Sequence, residues 1–308
     1  MADLLRIHKA LADETRLRLL RLLTRGPLNV NEIIAILRMG QSRISRHLKI
    51  LFEAEIVSSR REGTWVYYQS KSDSDDKVVE DILAFTRNHE HAVAHYASDL
   101  QAVEQVIEQR KEDTRVFFNN IDDPVELQHP IDGQFLRDLA LGQVPPCCDT
   151  ALDLGTGTGL MLPKLSETVS EIIAVDSSTT MLTMARNLVQ RGLKRCDFRL
   201  GDLSHLPVAD GEVDCVIACM VLHHVSNPQH CLKEANRVLK KGGFVIIVDL
   251  YRHEDETLRE KMADLWFGFL PNEIKTWLMD EKFSIEHSEV LGNPDEFRSL
   301  QFKARREG

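Results

Sequence analysis

Apolar positions in the first seventy residues recur with helical spacing. Ile7 and Leu11 form one short set, and Leu17, Leu20 and Leu23 a second. Thr24-Arg25-Gly26-Pro27 breaks the chain, and Val30, Ile33, Ile34 and Leu37 then fall at i, i+3, i+4 and i+7. Met39-Gly40 predicts a tight turn, followed by a third helix that buries Ile44, Leu48 and Leu51. From Ile56 the period changes to two. The chain alternates to Arg61, turns at Glu62-Gly63 and alternates again through Tyr68, which predicts a β-hairpin. Neither Gly nor Pro occurs from Thr64 through Asp123. Across that stretch Val79, Ile82, Thr86, His89, Val93, Tyr96, Leu100, Val103 and Ile107 recur at alternating three and four residues. This spacing predicts a coiled-coil-like seam on a helix from about 76 to 110, on the order of 50 Å long.

Beyond residue 115 the pattern becomes α/β. Short apolar runs (Ala151 to Leu154, Ile172 to Val175, Cys215 to Ala218, and the run from Phe244) alternate with helical stretches. Phe117 and Phe118 precede a poorly patterned stretch up to Pro145-Pro146, which reads as a cover over whatever the α/β part binds. The expected organisation is a small helical and hairpin domain over 1–74, a helical dimerisation linker over 75–114 and an α/β domain over 115–308.

Length and charge agree with two folding units. At 308 residues each half can hold its own core. The formal net charge of -10 is unevenly spread: residues 1–70 carry +5 and the remainder -15. A basic module on an acidic one makes nucleic acid a candidate partner for the first. All six cysteines (Cys147, Cys148, Cys196, Cys215, Cys219 and Cys231) lie in the second half and are expected to be reduced, mostly as small core residues. No apolar stretch approaches a membrane span, so a cytoplasmic location is expected.

Candidate chemistry concentrates at Leu152-Asp153-Leu154-Gly155-Thr156-Gly157-Thr158-Gly159. A strand ending in alternating glycines and entering a helix lets backbone approach a ligand closely. Asp176 ends the next apolar strand, where a carboxylate can accept from two ribose hydroxyls. The loop departs from the G-x-G-x-x-G of dinucleotide sites, and the acid at Asp153 suits cationic groups better than a pyrophosphate.

Together with Gly201-Asp202, Asp214-Cys215-Val216-Ile217-Ala218 and Leu239-Lys240-Lys241-Gly242-Gly243-Phe244, this string resembles the class I S-adenosylmethionine-dependent methyltransferases over roughly residues 115 to 295. The resemblance implies a Rossmann-like domain binding S-adenosylmethionine or S-adenosylhomocysteine. It assigns Asp153, Gly155 and Gly157 to the methionine end, Asp176 to the ribose and Asp202 with Leu203 to the adenine, with Ser177 and Met181 as further cofactor-binding residues. His223 and His224 follow the strand ending at Ala218, beside the expected methyl group, and are the candidate catalytic residues. Cys147-Cys148, Cys215 and Cys219 raise an arsenite reading, but Met220 stands where arsenic methyltransferases carry a cysteine after this strand.

In the first half, Gln41, Ser42, Arg43, Ser45, Arg46 and Lys49 lie on the polar face of the third helix, with Arg60 and Arg61 near the hairpin tip. Hydroxyls, Gln and Arg near a helix start are groups that reach phosphates and base edges in a major groove. Ala12-Asp13-Glu14-Thr15-Arg16-Leu17, Ser45-Arg46-His47-Leu48 and Arg61-Glu62-Gly63-Thr64-Trp65-Val66-Tyr67-Tyr68 resemble the ArsR/SmtB winged-helix repressors over residues 1–100. Dimerisation through the seam of residues 76–110 fits a reader of two half-sites, so a homodimer on inverted-repeat double-stranded DNA is expected. Family metal sites are not matched: Asn29-Val30-Asn31 stands in place of a Cys-x-Cys, and only His89, His91 and His95 remain, the last two read as an i, i+4 pair. No metal is expected. The combined reading is a transcriptional repressor whose DNA binding is coupled to occupancy by the methyl donor, its product or an acceptor. The alternative is an active small-molecule methyltransferase, acting on arsenite or another metabolite, that regulates its own expression.

Overall fold

The computed structural model describes residues 3–71, 76–122, 130–189 and 195–308. It divides into two compact units, Met1–Arg110 and Lys111–Gly308.

In the first unit, α1 (Leu4–Leu11) and α2 (Glu14–Leu23) start at Asp3 and Asp13, whose side chains accept from first-turn backbone N–H groups. A two-residue β1 (Leu28–Asn29) leads into α3 (Val30–Leu37), and α4 (Gln41–Glu53) follows. Asn29 and Glu32 form a reciprocal capping box at the start of α3. Arg38, at φ +53, ends that helix in the left-handed region. The hairpin is β2 (Val57–Glu62) and β3 (Trp65–Ser70), giving an antiparallel sheet in the order β1-β3-β2. Its turn is Gly63-Thr64, one residue later than the alternation predicted: Glu62 pairs with Trp65, and Gly63 takes φ +60. The core collects Leu19, Leu20, Leu23, Ile33, Ile44, Leu48 and Leu51, so one face of every helix is spent on burial.

The single helix predicted over 76–110 is broken. The chain forms α5 (Lys77–Asn88), a 3-10 turn over Glu90–Ala92, and α6 (Tyr96–Asn119), with His95 at φ +57. Arg21 on α2 explains how the break is tolerated: its guanidinium donates to the carbonyls of Glu90, Val93 and Ala94. Arg18 and Arg21 also clasp the buried Asp99 of α6, at 2.8 and 2.5 Å. The seam is no coiled coil. Val79, Leu83 and Val103 are buried in the first unit's core, with Ile82, Leu100 and Ile107 packed against it. His91 and His95 are exposed in the break instead of sharing a helix face.

The second unit adds α7 (Gly133–Gly142), β4 (Thr150–Leu154), α8 (Leu162–Leu165), β5 (Glu171–Asp176), α9 (Thr179–Val189), β6 (Cys196–Leu200) and β7 (Val213–Cys219). Then come a 3-10 turn (Leu222–His224), α10 (Pro228–Val238), β8 (Leu239–Leu250), α11 (Thr257–Met262), α12 (Pro271–Asp280), β9 (Phe283–Leu291) and β10 (Ser299–Arg306). The sheet order is β6-β5-β4-β7-β8-β10-β9, with β4 to β8 parallel and β9 and β10 antiparallel. Strand order reverses between β4 and β7, and in doubly wound sheets the crevice at such a switch takes the ligand. The stretch read as a cover contains the helix α7, which buries Leu136 and Ala140; residues 123–129 lie outside the described residues. No described helix is long and apolar enough to cross a membrane.

Candidate functional site

In the second unit, the glycine loop leaves the carboxyl end of β4. Its three glycines have different jobs. A Cβ on Gly155 (φ +70) would sit 2.3 Å from Val221 Cγ2, and one on Gly159 (φ +80) 2.8 Å from the Ala185 Cβ. Those two allow close packing. Gly157 (φ +53) would meet nothing within 4 Å, so the loop is open there. Leu203 Cδ1 lies 3.8 Å from where a Cβ on Gly155 would sit.

Asp153 is 2% exposed and accepts from Thr156 Oγ1 at 2.6 Å. Burial pushes its carboxyl up to about 7, with the charge of Asp176 adding to the shift. Asp176, at the end of β5, accepts from the backbone N–H of Gly157 (2.8 Å) and of Ser178 (2.9 Å). It therefore fixes the loop from the neighbouring strand, and burial raises its carboxyl too. Met181 is buried in α9, and Ser177 is half-buried beside Asp176. Asp202 follows β6; it takes Lys111 Nζ at 2.6 Å and Ser204 N at 2.8 Å. Although burial opposes it, the Lys111 ammonium and the Ser204 N–H hold this carboxyl below its ordinary value.

Sequence reasoning missed the contribution of the last turns of α6. Asn119 Oδ1 accepts from Ser178 Oγ at 2.8 Å, and its carbonyl accepts from Thr180 Oγ1 at 2.9 Å, so Asn119 ties down the start of α9. The Phe118 ring meets His224 edge-on at 5.0 Å. No local pattern announces these contacts, because they join residues about sixty positions or more apart.

His223 and His224 occupy the 3-10 turn after β7. His223 is wholly enclosed, and its Nδ1 lies 2.6 Å from Asp249 Oδ1 on β8; burial drags its pKa down to about 3. Asp264 is also wholly buried, with Oδ1 3.7 Å from His223 Nε2 and 3.7 Å from His224 Nδ1. Burial lifts its carboxyl to about 8. Asp249 had a readable signal, an acid inside the apolar run from Phe244 to Leu250; Asp264 had none. Among the thiols, burial raises Cys219 to about 12 and Cys215 is wholly enclosed, which disfavours the thiolates an arsenite site needs.

In the first unit, α4 buries Ile44, His47, Leu48 and Leu51 and exposes Gln41, Ser42, Arg43, Ser45, Arg46 and Lys49. Six sequence-predicted DNA contacts thus share one solvent face. Arg43 also donates to Thr15 Oγ1 at 3.3 Å. The hairpin arginines differ. Arg61 is exposed, whereas the half-buried Arg60 is paired with Glu62, itself 1% exposed. Asn29 is committed to its cap, and Asn31 is exposed.

A family model described as a methyltransferase domain matches residues 152–247, and one described as a bacterial regulatory protein of the arsR family matches residues 13–59. An arsenite methyltransferase of Halobacterium salinarum is 36% identical over 106 residues, covering 33% of this chain and 27% of that protein. A demethylmenaquinone methyltransferase of a Roseiflexus species is 33% identical over 125 residues, covering 41% of this chain and 51% of that protein. The chain spans about half or less of the length of these relatives. Geranyl diphosphate C-methyltransferase from Streptomyces coelicolor, solved with Mg2+, geranyl diphosphate and S-adenosyl-L-homocysteine, shares the fold: the TM-score is 0.51 at 16% identity, over 64% of this chain and 98% of that one. The chain therefore joins an arsR-type helix-turn-helix to a Rossmann-like methyltransferase domain.

Proposed function

We propose that the chain is a transcriptional regulator that reads an inverted repeat of double-stranded DNA as a homodimer, and that S-adenosylmethionine or S-adenosylhomocysteine in the second unit sets its DNA affinity. The residues fit that cofactor. The opening above Gly157 leaves room for a ligand, Asp153 suits an ammonium or sulfonium, and Asp176 offers a carboxylate for vicinal hydroxyls. When bound, S-adenosylmethionine supplies an activated methyl group. The chain itself would hold the ends of the molecule, exclude water and orient an acceptor. On the acceptor side His224, whose side chain is 11% exposed, is better placed to receive a proton than the enclosed His223.

The observation that carries the regulatory reading is a pair of neighbours on α6. Arg110 donates to Glu32, the capping residue of α3, and to the Pro27 carbonyl at 3.0 Å. Lys111 holds Asp202, the proposed adenine acid. A ligand amine accepted by Asp202 competes with Lys111, and the preceding residue of α6 holds the element before the recognition helix. Apolar side chains exposed on α1 (Leu4, Leu5) and α5 (Phe85) offer dimer surface in place of the seam.

The test is operator affinity, by fluorescence anisotropy on a duplex selected from a random library, with and without saturating nucleoside. A change of roughly 5- to 150-fold is expected, matched by the same factor in nucleoside affinity when DNA is present. Lys111→Met should flatten that change while each ligand still binds alone. Equal operator affinities with and without nucleoside in the unsubstituted protein would leave two independent domains.

Asp153 adds a pH dependence. Its neighbours are Asp176, Thr156 and, within range of its charge, Cys196 and Cys219. A cationic methionine end favours the carboxylate, so binding expels the proton that the free site holds below about pH 7. Affinity should be flat above about pH 7.5 and fall towards tenfold per pH unit below about 6.5. Asp153→Asn should bind more weakly at neutral pH and lose that slope in calorimetry; a slope unchanged by the substitution overturns the assignment.

A further inference from the structure

The geometry points to a binding site for one divalent first-row transition ion, of the zinc, iron or cobalt type, held by His223, His224 and Asp264. Their donor atoms all lie within 4.8 Å of one another. Asp264 Oδ1 is 3.7 Å from both His223 Nε2 and His224 Nδ1. A tetrahedral ion about 2.0–2.1 Å from each donor would draw such atoms to about 3.4 Å, a small contraction.

Three independent features prepare this cluster. The first is the tautomer of His223. Asp249 accepts from the backbone N–H of Leu222 at 2.9 Å and of Leu250 at 2.7 Å, which fixes it as an acceptor. His223 Nδ1, 2.6 Å from the same carboxylate, must then carry the hydrogen, leaving the Nε2 lone pair directed at Asp264. A carboxylate behind a ligand histidine is the usual second layer of a metal site. The second is Asp264, which is wholly buried with neither carboxylate oxygen receiving a hydrogen bond from the described residues. Such a carboxylate is costly unless a cation or a proton compensates it. The nearby Arg259 is engaged elsewhere, with the Leu265 carbonyl and the Phe267 ring. The third is rigidity. Leu265 N and Trp266 N both donate to the His223 carbonyl at 3.0 Å, and Trp266 Nε1 donates to the Val225 carbonyl at 2.7 Å. The segment carrying Asp264 is therefore pinned to the turn carrying the histidines. His224 Nδ1 also has a long contact, 3.3 Å, to the Ala263 carbonyl, which the ion would replace.

Two imidazoles and one carboxylate select first-row transition ions over magnesium or calcium. Three protein ligands leave a coordination position open, which an oxygen or nitrogen of a methyl acceptor could occupy. The site does not depend on the regulatory reading above.

The full chain, stripped with a chelator and then dialysed, is titrated with Co2+ and Zn2+ in a Cys147→Ser background that removes the exposed thiol. One ion per chain is expected, with visible d–d absorption from Co2+ and metal content confirmed by mass spectrometry. Asp264→Asn and His224→Gln should each lose that ion. Asp249→Asn, which leaves the three donors in place, should weaken it by about 10- to 100-fold. Circular dichroism checks that each variant folds, and the partly exposed His224 is the safer substitution. Uptake that is absent, or the same in Asp264→Asn and His224→Gln as in the parent, overturns the site; in the first case Asp264 is a buried protonated acid.

Discussion

Asp176→Ala is expected to weaken S-adenosylhomocysteine binding by about 100- to 10,000-fold. Two charge-assisted hydrogen bonds to ribose hydroxyls contribute roughly 1.5–3 kcal/mol each, and about 1.4 kcal/mol is a factor of ten. The structure adds a second reason. Asp176 is also the acceptor that ties the Gly157 and Ser178 backbone N–H groups together, so its loss loosens the glycine loop itself. Asp176→Asn keeps the size and one acceptor oxygen and should lie between the two. Calorimetry on the folded variants reads the effect, and operator affinity without nucleoside should not move. Near-normal nucleoside affinity in Asp176→Ala would mean that the ligand sits elsewhere.

Arg46→Ala is expected to weaken duplex DNA binding by roughly 5- to 150-fold, from about 1–3 kcal/mol for a direct base or phosphate contact. Arg46 is exposed on the face of α4 opposite Ile44, Leu48 and Leu51, so its removal leaves the core intact. A phosphate contact would show as a salt dependence shallower by about one unit in the log–log plot; a base contact would relax discrimination at one position of each half-site. Arg60→Ala gives an internal contrast. Its guanidinium is paired with the buried Glu62, so it should affect folding stability more than DNA affinity. Unchanged DNA binding in both Arg46→Ala and Arg43→Ala would remove α4 as the reading element.

The sequence by itself determined what depends on local spacing. The apolar sets at Ile44, Leu48 and Leu51 place a helix and, by exclusion, put Gln41, Ser42, Arg43, Ser45, Arg46 and Lys49 on its outer face, which is where they lie. The glycine loop with Asp153 and Asp176 was legible because a strand, a tight turn and an acid on the next strand occupy short fixed intervals of chain. Tertiary structure decided whatever depends on distant partners. The spacing from Val79 to Ile107 is the same for a seam between two chains as for a face packed on its own domain, and only the core of the first unit shows that Val79, Ile82, Leu100, Val103 and Ile107 pack on their own unit. The break at residues 89–95 exists because Arg21, about seventy positions earlier, supplies donors to its carbonyls. Lys111 on Asp202, Asn119 on Ser178 and Asp249 on His223 likewise join residues 26 to 91 apart in sequence. Asp264 is the extreme case. Nothing around it in the chain marks it as special, and its chemistry arises from burial beside two histidines some forty residues away, which only the packed fold brings about.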